Sequence, residues 1–504
     1  MHLSMMLLQV LVGLPLFAKA YGGTAADYGY SIAQILSGGY VVAGYTESYG
    51  AGGDILVLKL NPDGSIAWAK AFGGSDYECA YSIIQSLEGG YAVTGRTSSF
   101  GAGGSDILVL KLNPDGSLAW AKTFGGSSED AAYAMLQSSD GGYLVVGYTQ
   151  SFGVEYVDIL VLKLNPDGSL AWARTFGGNL GDYAQSVIQT QDGGYAVAGY
   201  TASFGAGNSD VLVLKLNSDG SLAWARTFGG TGPDGALSLT QASDGGYILA
   251  GYTYSFGAGS WDFLVLKMNP NGSLAWAKTF GGADYEYANF VTQASDGGYI
   301  LAGYTHSFGA GSSDFLILKL DKDGSIAWAK TFGSGGLEYP YSLIQASDGG
   351  FVVAGHTNSF GAGESDLVVL SLDQNGDYPG CVEDCSPAEV NITPATWSPS
   401  MGAVCSPQTS SPSIAVIPSG LVLTDVCPSG VEERDAELIP AIDCSPIRGG
   451  LLFVSHGDVM IKIYRPDGRL AYSGNLMKGS NRIDLKAGVY LWATQNQAGV
   501  VSVR

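Results

Sequence analysis

A pattern of short apolar segments separated by glycine-rich turns recurs about every 52 residues along most of the chain. In its second copy the pattern predicts four strands, at 81–85, 91–97, 106–112 and 117–124, because β-forming residues dominate these segments. The turn at 113–116 reads Asn-Pro-Asp-Gly, in which Pro presets φ and Gly takes the left-handed position of a bulged hairpin. Each unit is therefore predicted to be a four-stranded sheet.

The third strand of the unit shows no alternation of apolar and polar residues. It reads Asp-Ile-Leu-Val-Leu-Lys-Leu at 106–112, which puts apolar side chains on both faces of the sheet. The pattern predicts no helix that would cover either face, so neighbouring units must cover both. A closed ring of units does this without leaving a bare end.

Two sequence markers count the units. Seven units of this length predict an all-β fold, a seven-bladed β-propeller with four-stranded blades over residues 16–376. A β-solenoid is the alternative, but coils of ~20–30 residues fit this period poorly. The first marker is a tryptophan, at Trp68, Trp120, Trp172, Trp224, Trp276 and Trp328. The second is a Gly-Gly-aromatic motif that ends at Tyr40, Tyr91, Tyr143, Tyr195, Tyr247, Tyr299 and Phe351.

The repeat unit resembles a known family of propeller repeats. Its Gly-Gly-Tyr-Ala-Val-Thr-Gly segment at 89–95, the strand at 106–112, the turn at 113–116 and Phe-Gly-Gly at 124–126 resemble the delta-sixty type of bacterial and archaeal repeat. The resemblance covers residues 21–376. It implies a secreted or surface propeller, and the family carries no agreed activity.

The seventh unit lacks a fourth strand of its own. Residues 17–23 match 68–74 at five of seven positions, with an aromatic residue replaced by another aromatic at the other two. The N-terminal segment 16–21 is therefore predicted to pair with 366–372 and to close the ring. Pairing there would also cover an apolar edge strand.

The same N-terminal region also has features of an export signal. An apolar stretch at 5–17 precedes Ala-Lys-Ala at 18–20, which fits a signal-peptidase cleavage site. Residues 1–15 are accordingly predicted to be a signal-like segment. Cleavage after residue 20 would remove most of the closing strand, so the two interpretations compete.

A cysteine-containing connector is predicted at 377–446. The spacings of its cysteines fit no zinc template, so we expect disulfides formed in an oxidising compartment, with a connectivity that the sequence leaves open. Five is an odd number, so one thiol pairs with Cys79 or stays free. The connector cysteines are Cys381, Cys385, Cys405, Cys427 and Cys444.

A C-terminal β domain is predicted at 447–504. The segments Val-Met-Ile-Lys-Ile-Tyr at 459–464, Asn-Arg-Ile-Asp-Leu at 481–485 and Gly-Val-Tyr at 488–490 resemble the sorting domain of the type IX (Por) secretion system. The resemblance implies a small β-sandwich, recognition by that export machinery, and surface attachment or release. An ordinary small β-sandwich is the alternative.

The composition excludes several classes of protein. The chain has 504 residues with 75 Gly, 24 Lys and Arg, and 46 Asp and Glu, for a net charge of −22. This charge argues against nucleic-acid binding, and 46% hydrophobic residues argue against disorder. No apolar stretch after the N-terminus is long enough to cross a membrane as a helix.

Residues that recur in every unit are explained by the blade more simply than by an active site. The aspartates that open the third strands are expected to bind amides of the adjacent loops. The four histidines form no metal cluster, and His306 and His356 are expected to be exposed. No cofactor, metal or catalytic residue is predicted. The aspartates are Asp54, Asp106, Asp158, Asp210, Asp262, Asp314 and Asp366.

The loops that lead into the first strands vary between units and carry aromatic rings beside carboxylates. Such pairs suit sugar stacking, peptide binding or cation capture, whereas the alternative is a solvated acidic rim. A glycosidase would additionally need two carboxylates about 5–10 Å apart. The candidate ligand-binding residues are Asp27, Tyr28, Asp76, Tyr77, Asp182, Tyr183, Asp284, Tyr285, Glu338 and Tyr339.

Together these features predict an exported propeller, secreted or held at the cell surface, that acts as a binding or scaffold module for a glycan or protein ligand. The alternative is a propeller-based carbohydrate-active enzyme that uses the carboxylates of the rim. The ligand and the oligomeric state are not encoded in any recognisable motif.

Overall fold

The computed structural model describes residues 16–378, apart from 51, 154, 155 and 362, together with strands that lie between 382 and 503. Seven sheets with an antiparallel core of four strands follow one another along 16–378. This confirms the predicted all-β, seven-bladed propeller. The described residues contain no helix long and apolar enough to cross a membrane.

The strands of the first four blades follow β1 (Ala18–Tyr21), which belongs to blade 7. They are β2 (Asp27–Gln34), β3 (Tyr40–Thr46), β4 (Asp54–Leu60) and β5 (Ile66–Gly73) in blade 1; β6 (Glu78–Gln85), β7 (Tyr91–Thr97), β8 (Asp106–Leu112) and β9 (Leu118–Phe124) in blade 2; β10 (Asp130–Gln137), β11 (Tyr143–Thr149), β12 (Asp158–Leu164) and β13 (Leu170–Phe176) in blade 3; and β14 (Asp182–Gln189), β15 (Tyr195–Thr201), β16 (Asp210–Leu216) and β17 (Leu222–Phe228) in blade 4.

The remaining three blades have the same order of strands. They are β18 (Asp234–Gln241), β19 (Tyr247–Thr253), β20 (Asp262–Met268) and β21 (Leu274–Gly281) in blade 5; β22 (Glu286–Gln293), β23 (Tyr299–Thr305), β24 (Asp314–Leu320) and β25 (Ile326–Phe332) in blade 6; and β26 (Glu338–Gln345), β27 (Phe351–Thr357) and β28 (Asp366–Leu372) in blade 7, with β1 as its fourth strand.

The first strand of each blade is innermost, because the first strands of neighbouring blades contact one another around the central channel. In blade 2 this strand begins at Glu78, three residues earlier than predicted, and Tyr81 is the extra residue of a β-bulge against β7. The loops between second and third strands and those leading into first strands lie at one end of the propeller, which we call the loop face. The hairpin turns form the opposite end, the turn face.

The hairpin turn between the third and fourth strands requires glycine. Gly116 has a φ of +81°, and its amide donates a hydrogen bond to the Asn113 carbonyl oxygen over 3.0 Å. A Cβ at Gly116 would lie 3.1 Å from the ring of Trp68 in the preceding blade. The turn thus combines a left-handed conformation with close packing between blades.

The hydrophobic core lies between the blades. One cluster joins Val57 and Phe72 of blade 1 to Val93 and Leu110 of blade 2, and all four side chains are at most 1% exposed. All seven residues of β8 are buried. The neighbouring blades therefore cover both apolar faces of each sheet, as predicted.

The ring closes through the N-terminal strand. β1 pairs antiparallel with β28, with Ala18 opposite Leu370 and Tyr21 opposite Leu367. The Ser371 amide donates a hydrogen bond to the Phe17 carbonyl oxygen over 2.7 Å. These contacts confirm the predicted closing strand. Residues 1–15, the predicted signal-like segment, lie outside the described residues.

Short strands of the connector lie against outer blade edges. β29 (Val382–Asp384) pairs with β25, β30 (Ala388–Ile392) pairs with β21, and β31 (Val422–Asp425) pairs with β5. Blades 6, 5 and 1 thereby gain a fifth strand each. The side chains of the five connector cysteines lie outside the described part of the chain, so their disulfides stay a prediction.

Seven further strands occupy the C-terminal region. They form one sheet of three strands and one of four, and the predicted sandwich arrangement and its sorting role stay predictions. The strands are β32 (Ile442–Ile447), β33 (Gly450–Ser455), β34 (Val459–Tyr464), β35 (Leu470–Leu476), β36 (Gly479–Asp484), β37 (Gly488–Ala493) and β38 (Ala498–Val503).

Candidate functional site

The acidic residue that opens each first strand is a structural group. In blade 4 the Asp182 carboxylate accepts hydrogen bonds from the Gly178 amide over 2.8 Å and from the Ser203 hydroxyl over 2.7 Å. Asp27 accepts from the Gly23 amide and the Ser48 hydroxyl, and Glu338 accepts from the Ser334 amide and the Thr357 hydroxyl. All three acidic residues are 0% exposed. Because these carboxylates are buried and accept hydrogen bonds from the adjacent loops, the expectation that Asp27, Asp182 and Glu338 line the ligand surface is revised.

The aspartates of the third strands bind loop amides, as predicted. Asp106 Oδ2 accepts from the amides of Ala102 and Gly103 over 2.9 and 3.3 Å. Burial, together with the nearby Glu286 carboxylate, raises the pKa of the equivalent Asp262 to about 6. These carboxylates hold the glycine-rich loops in place.

Two of the predicted carboxylates do reach the surface. Asp76 and Asp284 are exposed on the loop face, and each backbone amide is held by a serine hydroxyl, Ser99 and Ser307 respectively, at 2.9 Å. Within the described residues no group of three or more His, Cys, Asp and Glu side chains is arranged to hold a metal ion.

A ring of aromatic side chains surrounds the channel at the loop face, and we call it the entrance ring. Its members come from the starts of the first strands, the ends of the second strands, and one adjacent loop. Cross-strand pairing brings several of them together, for example Tyr183 opposite Tyr200. The members are Tyr28, Tyr45, Tyr77, Arg96, Tyr148, Tyr183, Tyr200, Tyr252, Tyr287, Tyr304, Tyr339 and His356.

The entrance ring is continuous across several blades. Within one strand pair, Tyr28 stacks on Tyr45 with ring centroids 5.9 Å apart. Between blades, Tyr45 contacts Tyr77 at 5.0 Å, and the edge of Tyr304 meets Tyr339 at 4.5 Å. The aromatic rings therefore pack on one another and are held in place before any ligand arrives.

Four predicted ligand residues belong to this ring, namely Tyr28, Tyr77, Tyr183 and Tyr339. Each is half-buried in contacts with neighbouring rings and presents only part of its surface to solvent. The fifth predicted aromatic residue, Tyr285, is 45% exposed. The structure thus brings all five aromatic residues to the loop face but exposes them to solvent to different extents.

A second layer of tyrosines lines the channel below the entrance ring on one side. Tyr30 contacts Tyr341 at 4.7 Å and Tyr81 at 5.5 Å, and Tyr81 contacts Tyr133 at 5.1 Å. They occupy the bulge positions of blades 7, 1, 2 and 3, where blades 4, 5 and 6 have Gln185, Leu237 and Asn289. The channel wall is therefore aromatic on one side and mixed on the other.

Blades 5 and 6 extend the aromatic surface outward through four residues that we call the platform, Tyr254, Trp261, Tyr285 and His306. Trp261 stacks on Tyr287 at 5.3 Å and contacts Tyr254 at 5.3 Å. Tyr285 contacts His306 at 5.8 Å. Tyr254 is 55% exposed, so the platform presents aromatic surface to solvent.

One histidine departs from its predicted environment. His356 is 7% exposed rather than solvent-accessible, and its ring packs between Tyr28 and Tyr339. Burial lowers the pKa of His356 to about 4, so its imidazole is neutral at physiological pH. Cys79 lies inside β6 and is a buried free thiol.

Several channel residues were not predicted from the sequence, namely the second-strand tyrosines, the bulge tyrosines and Arg96. A signal was present, because the residue before the last threonine of the second strand is aromatic in six units and Arg in one. Strand alternation gave no reason to place this residue on the ligand side.

Comparison with known proteins agrees with the fold. The model of a family described as a domain of unknown function (DUF5122), beta-propeller, matches residues 37–66, 91–118, 190–222, 242–274 and 294–326. Each matched segment covers the second and third strands of one blade. The chain is accordingly a β-propeller repeat protein.

One curated relative is the regulatory protein FlaEY of Caulobacter vibrioides, 29% identical over 199 residues. The match covers 36% of this chain and 19% of the relative. The chain therefore matches about a fifth of the length of that protein.

Several solved structures show a weak likeness. PorZ, an essential bacterial surface component of the type-IX secretion system of Porphyromonas gingivalis, is 13% identical, with 96% of this chain and 60% of that chain covered and a TM-score of 0.41. A puromycin hydrolase is 11% identical, with coverages of 88% and 60% and a TM-score of 0.44. At these scores the likenesses carry no argument about function.

Proposed function

We propose that the propeller is a binding or scaffold module whose ligand lies on the loop face, against the entrance ring and the platform. The observation that carries the proposal is the aromatic surface around the channel. Aromatic side chains supply much of the binding energy where they are preorganised and partly exposed. Tyr254 and Tyr285 stay about half exposed, which a purely structural role would not require.

The platform is specific to its blades. The residue that precedes the third strand is Ser in four other units, at 105, 209, 313 and 365, and Trp261 in blade 5. Tyr254 likewise stands where other units have residues such as Ser98, Gln150 and Ala202. Residues that build a blade recur in every unit, so a cluster of exceptions on one surface supports a role in binding.

The buried carboxylates support a binding role over catalysis. A glycosidase needs two carboxyl groups that face a substrate. Asp27, Asp182 and Glu338 instead accept hydrogen bonds from the fold and are fully buried. The exposed Asp76 and Asp284 belong to different blades, blade 2 and blade 6, on a seven-membered ring. We therefore propose that the protein is not an enzyme.

We further propose that the module works outside the cell or at its surface. Three sequence features support this role: the apolar N-terminal segment, the cysteine-bearing connector, and the sorting-type sequence at 447–504. The C-terminal segment also reverses the charge of the chain, with 8 basic against 3 acidic residues. The export machinery would be the partner of this segment.

A glycan array and a protein array probed with the full chain, with and without calcium, test the proposal. We expect a ligand whose binding is weakened by Trp261→Ser, which restores the residue found in four other units. The matched control is Leu36→Ala, because Leu36 is 92% exposed in a turn of the turn face. Binding that Leu36→Ala weakens and Trp261→Ser leaves unchanged would contradict the proposal.

A further inference from the structure

In blade 2 the entrance ring contains a cation in place of an aromatic residue. The residue before the last threonine of the second strand is aromatic in six blades, and in blade 2 it is Arg96, paired across the strands with Cys79. The six aromatic equivalents are Tyr45, Tyr148, Tyr200, Tyr252, Tyr304 and His356. Arg96 is thus the one permanent positive charge of the ring.

Arg96 lies among aromatic side chains. Its guanidinium carbon is 4.6 Å from the centroid of the Tyr77 ring, and it interacts with the hydroxyl groups of Tyr77 and Tyr148. Its Nε atom is buried and has no hydrogen-bond acceptor among the described residues. None of the ion pairs found in the described residues includes Arg96.

The part of the chain that the structure describes therefore provides no counter-ion for Arg96. Aromatic faces and phenol oxygens offset part of the cost of burying a guanidinium, but a carboxylate is its strongest partner. Cys79 does not supply the negative charge, because burial raises the pKa of its thiol to about 11 and keeps it protonated. A ligand could therefore supply the carboxylate that the described residues do not.

The surroundings limit the charge of that ligand. Asp76 and Glu129 are exposed on the loops that precede the first strands of blades 2 and 3, close in sequence to Tyr77 and Asp130. These carboxylates repel a polyanion, so the ligand carries a single acidic group on an otherwise neutral body. Rings and phenol hydroxyls side by side match the CH faces and hydroxyl groups of a sugar.

We infer that the entrance ring binds a glycan through one carboxylated sugar, a uronic-acid type of unit, whose carboxylate pairs with Arg96. The neighbouring tyrosines contact the body of the sugar. The inference rests on the proposed function and names the ligand class of the same site. Arg96 is half-buried, and its planar guanidinium can form a bidentate pair with a carboxylate.

Matched oligosaccharides test the inference. The full chain is titrated calorimetrically with an otherwise neutral oligosaccharide that carries one galacturonic acid unit, and with the methyl ester of the same oligosaccharide, which lacks the charge and keeps the sugar ring. We expect the acid form to bind at least tenfold more tightly than the ester. Arg96→Tyr, which restores the residue of five other blades, removes this difference, and Arg96→Lys retains part of it. Where Arg96→Tyr does not fold, as judged by its melting temperature, Arg96→Gln replaces it.

The outcomes separate the two proposals. Equal binding of acid and ester, or acid binding that Arg96→Tyr leaves intact, overturns the role of Arg96 and leaves the loop-face site standing if Trp261→Ser still weakens binding. If neither form binds and the array captures a protein instead, the acidic-sugar inference is also overturned. The proposal that the propeller is a binding module then still stands. Absence of any ligand on both arrays overturns the proposed function itself.

Discussion

Phe17 packs against Tyr40 with ring centroids 6.0 Å apart, and this contact reproduces the one between Trp68 and Tyr91 in the next pair of blades, at 5.8 Å. In each case an aromatic residue of an outer strand lies on the Gly-Gly-aromatic motif of the following blade. The N-terminal strand therefore completes both the sheet of blade 7 and the packing between blades 7 and 1. We therefore expect the stability of the whole ring to depend on this contact.

Phe17→Ala should destabilise the propeller. Phe17 is 4% exposed, so the substitution leaves a cavity between the first and last blades and costs about 3 kcal/mol or more of unfolding free energy. Chemical denaturation of the full chain measures this loss. Leu16→Ala is the matched control, because Leu16 is 38% exposed and adjacent in sequence. A variant that unfolds at the wild-type denaturant concentration would contradict the role of the closing strand.

The contribution of Asp262 to the unfolding free energy should fall as the pH rises from about 4 to about 7. The folded pKa of about 6 lies above the ordinary value of 3.8, because the carboxyl is buried beside Glu286. The protonated form therefore stabilises the fold below pH 3.8, and this contribution, ~1–3 kcal/mol, is lost as the pH rises through 6. The unfolding free energy of Asp262→Asn should decline less over this range than that of the wild type, while other buried aspartates with a raised pKa, such as Asp210 and Asp234, keep their own contributions.

An exposed aspartate provides a control of opposite sign. Hydrogen bonds from Ser117 lower the pKa of Asp115, so its contribution is present above pH 3.8 and is lost as the pH falls through the lowered value. Asp115→Asn should therefore leave the decline above pH 4 intact. If Asp262→Asn and Asp115→Asn change the pH profile in the same way, the account of the buried carboxylate is wrong.

Tyr183 and Tyr285 should respond differently to truncation. Tyr183 contacts Tyr148 at 5.4 Å and Tyr200 at 4.9 Å, so Tyr183→Ala removes packing from the entrance ring and lowers the melting temperature by several degrees. Tyr285 is 45% exposed, and Tyr285→Ala should leave the melting temperature within about one degree of wild type. Equal losses for the two variants would show that Tyr285 is packing rather than ligand surface.

The regular part of the fold was predictable because each unit repeats the same local signals. The strands Tyr91–Thr97 and Asp106–Leu112 have the predicted bounds, and the match between 17–23 and 68–74 predicted the closing strand. Such predictions need only strand-forming segments and turns with fixed residue types.

The site was less predictable because it depends on contacts between distant residues. Asp182 is next to Tyr183 in the sequence, yet one side chain is buried against Ser203 and the other lies in the entrance ring. The bulge that turns Tyr81 toward the channel leaves no mark in the alternation of residues. In the sequence, Arg96 stands out as an exception to the repeat. Its aromatic surroundings, however, are contributed by both blade 2 and blade 3, and the sequence pattern does not show this packing.

The C-terminal region should be needed for delivery rather than for folding of the propeller. Deletion of residues 447–504 is expected to block surface display in the native host, because the sorting-type sequence lies there. The melting temperature of the purified truncated protein should stay close to wild type. Surface labelling of intact cells measures display. Normal labelling of the truncated protein would contradict the sorting role.

The affinity of a double variant on the loop face tests the central claim most directly. Isothermal titration is carried out with the ligand found on the arrays, using Trp261→Ser/Tyr285→Ala and the turn-face control Leu36→Ala/Leu87→Ala. The control removes large exposed side chains, 92% and 75% accessible, from the opposite end of the propeller. We predict a loss of affinity of at least tenfold for the loop-face variant and wild-type affinity for the control, with both proteins folded. Wild-type affinity in the loop-face variant would contradict the assignment of the ligand site.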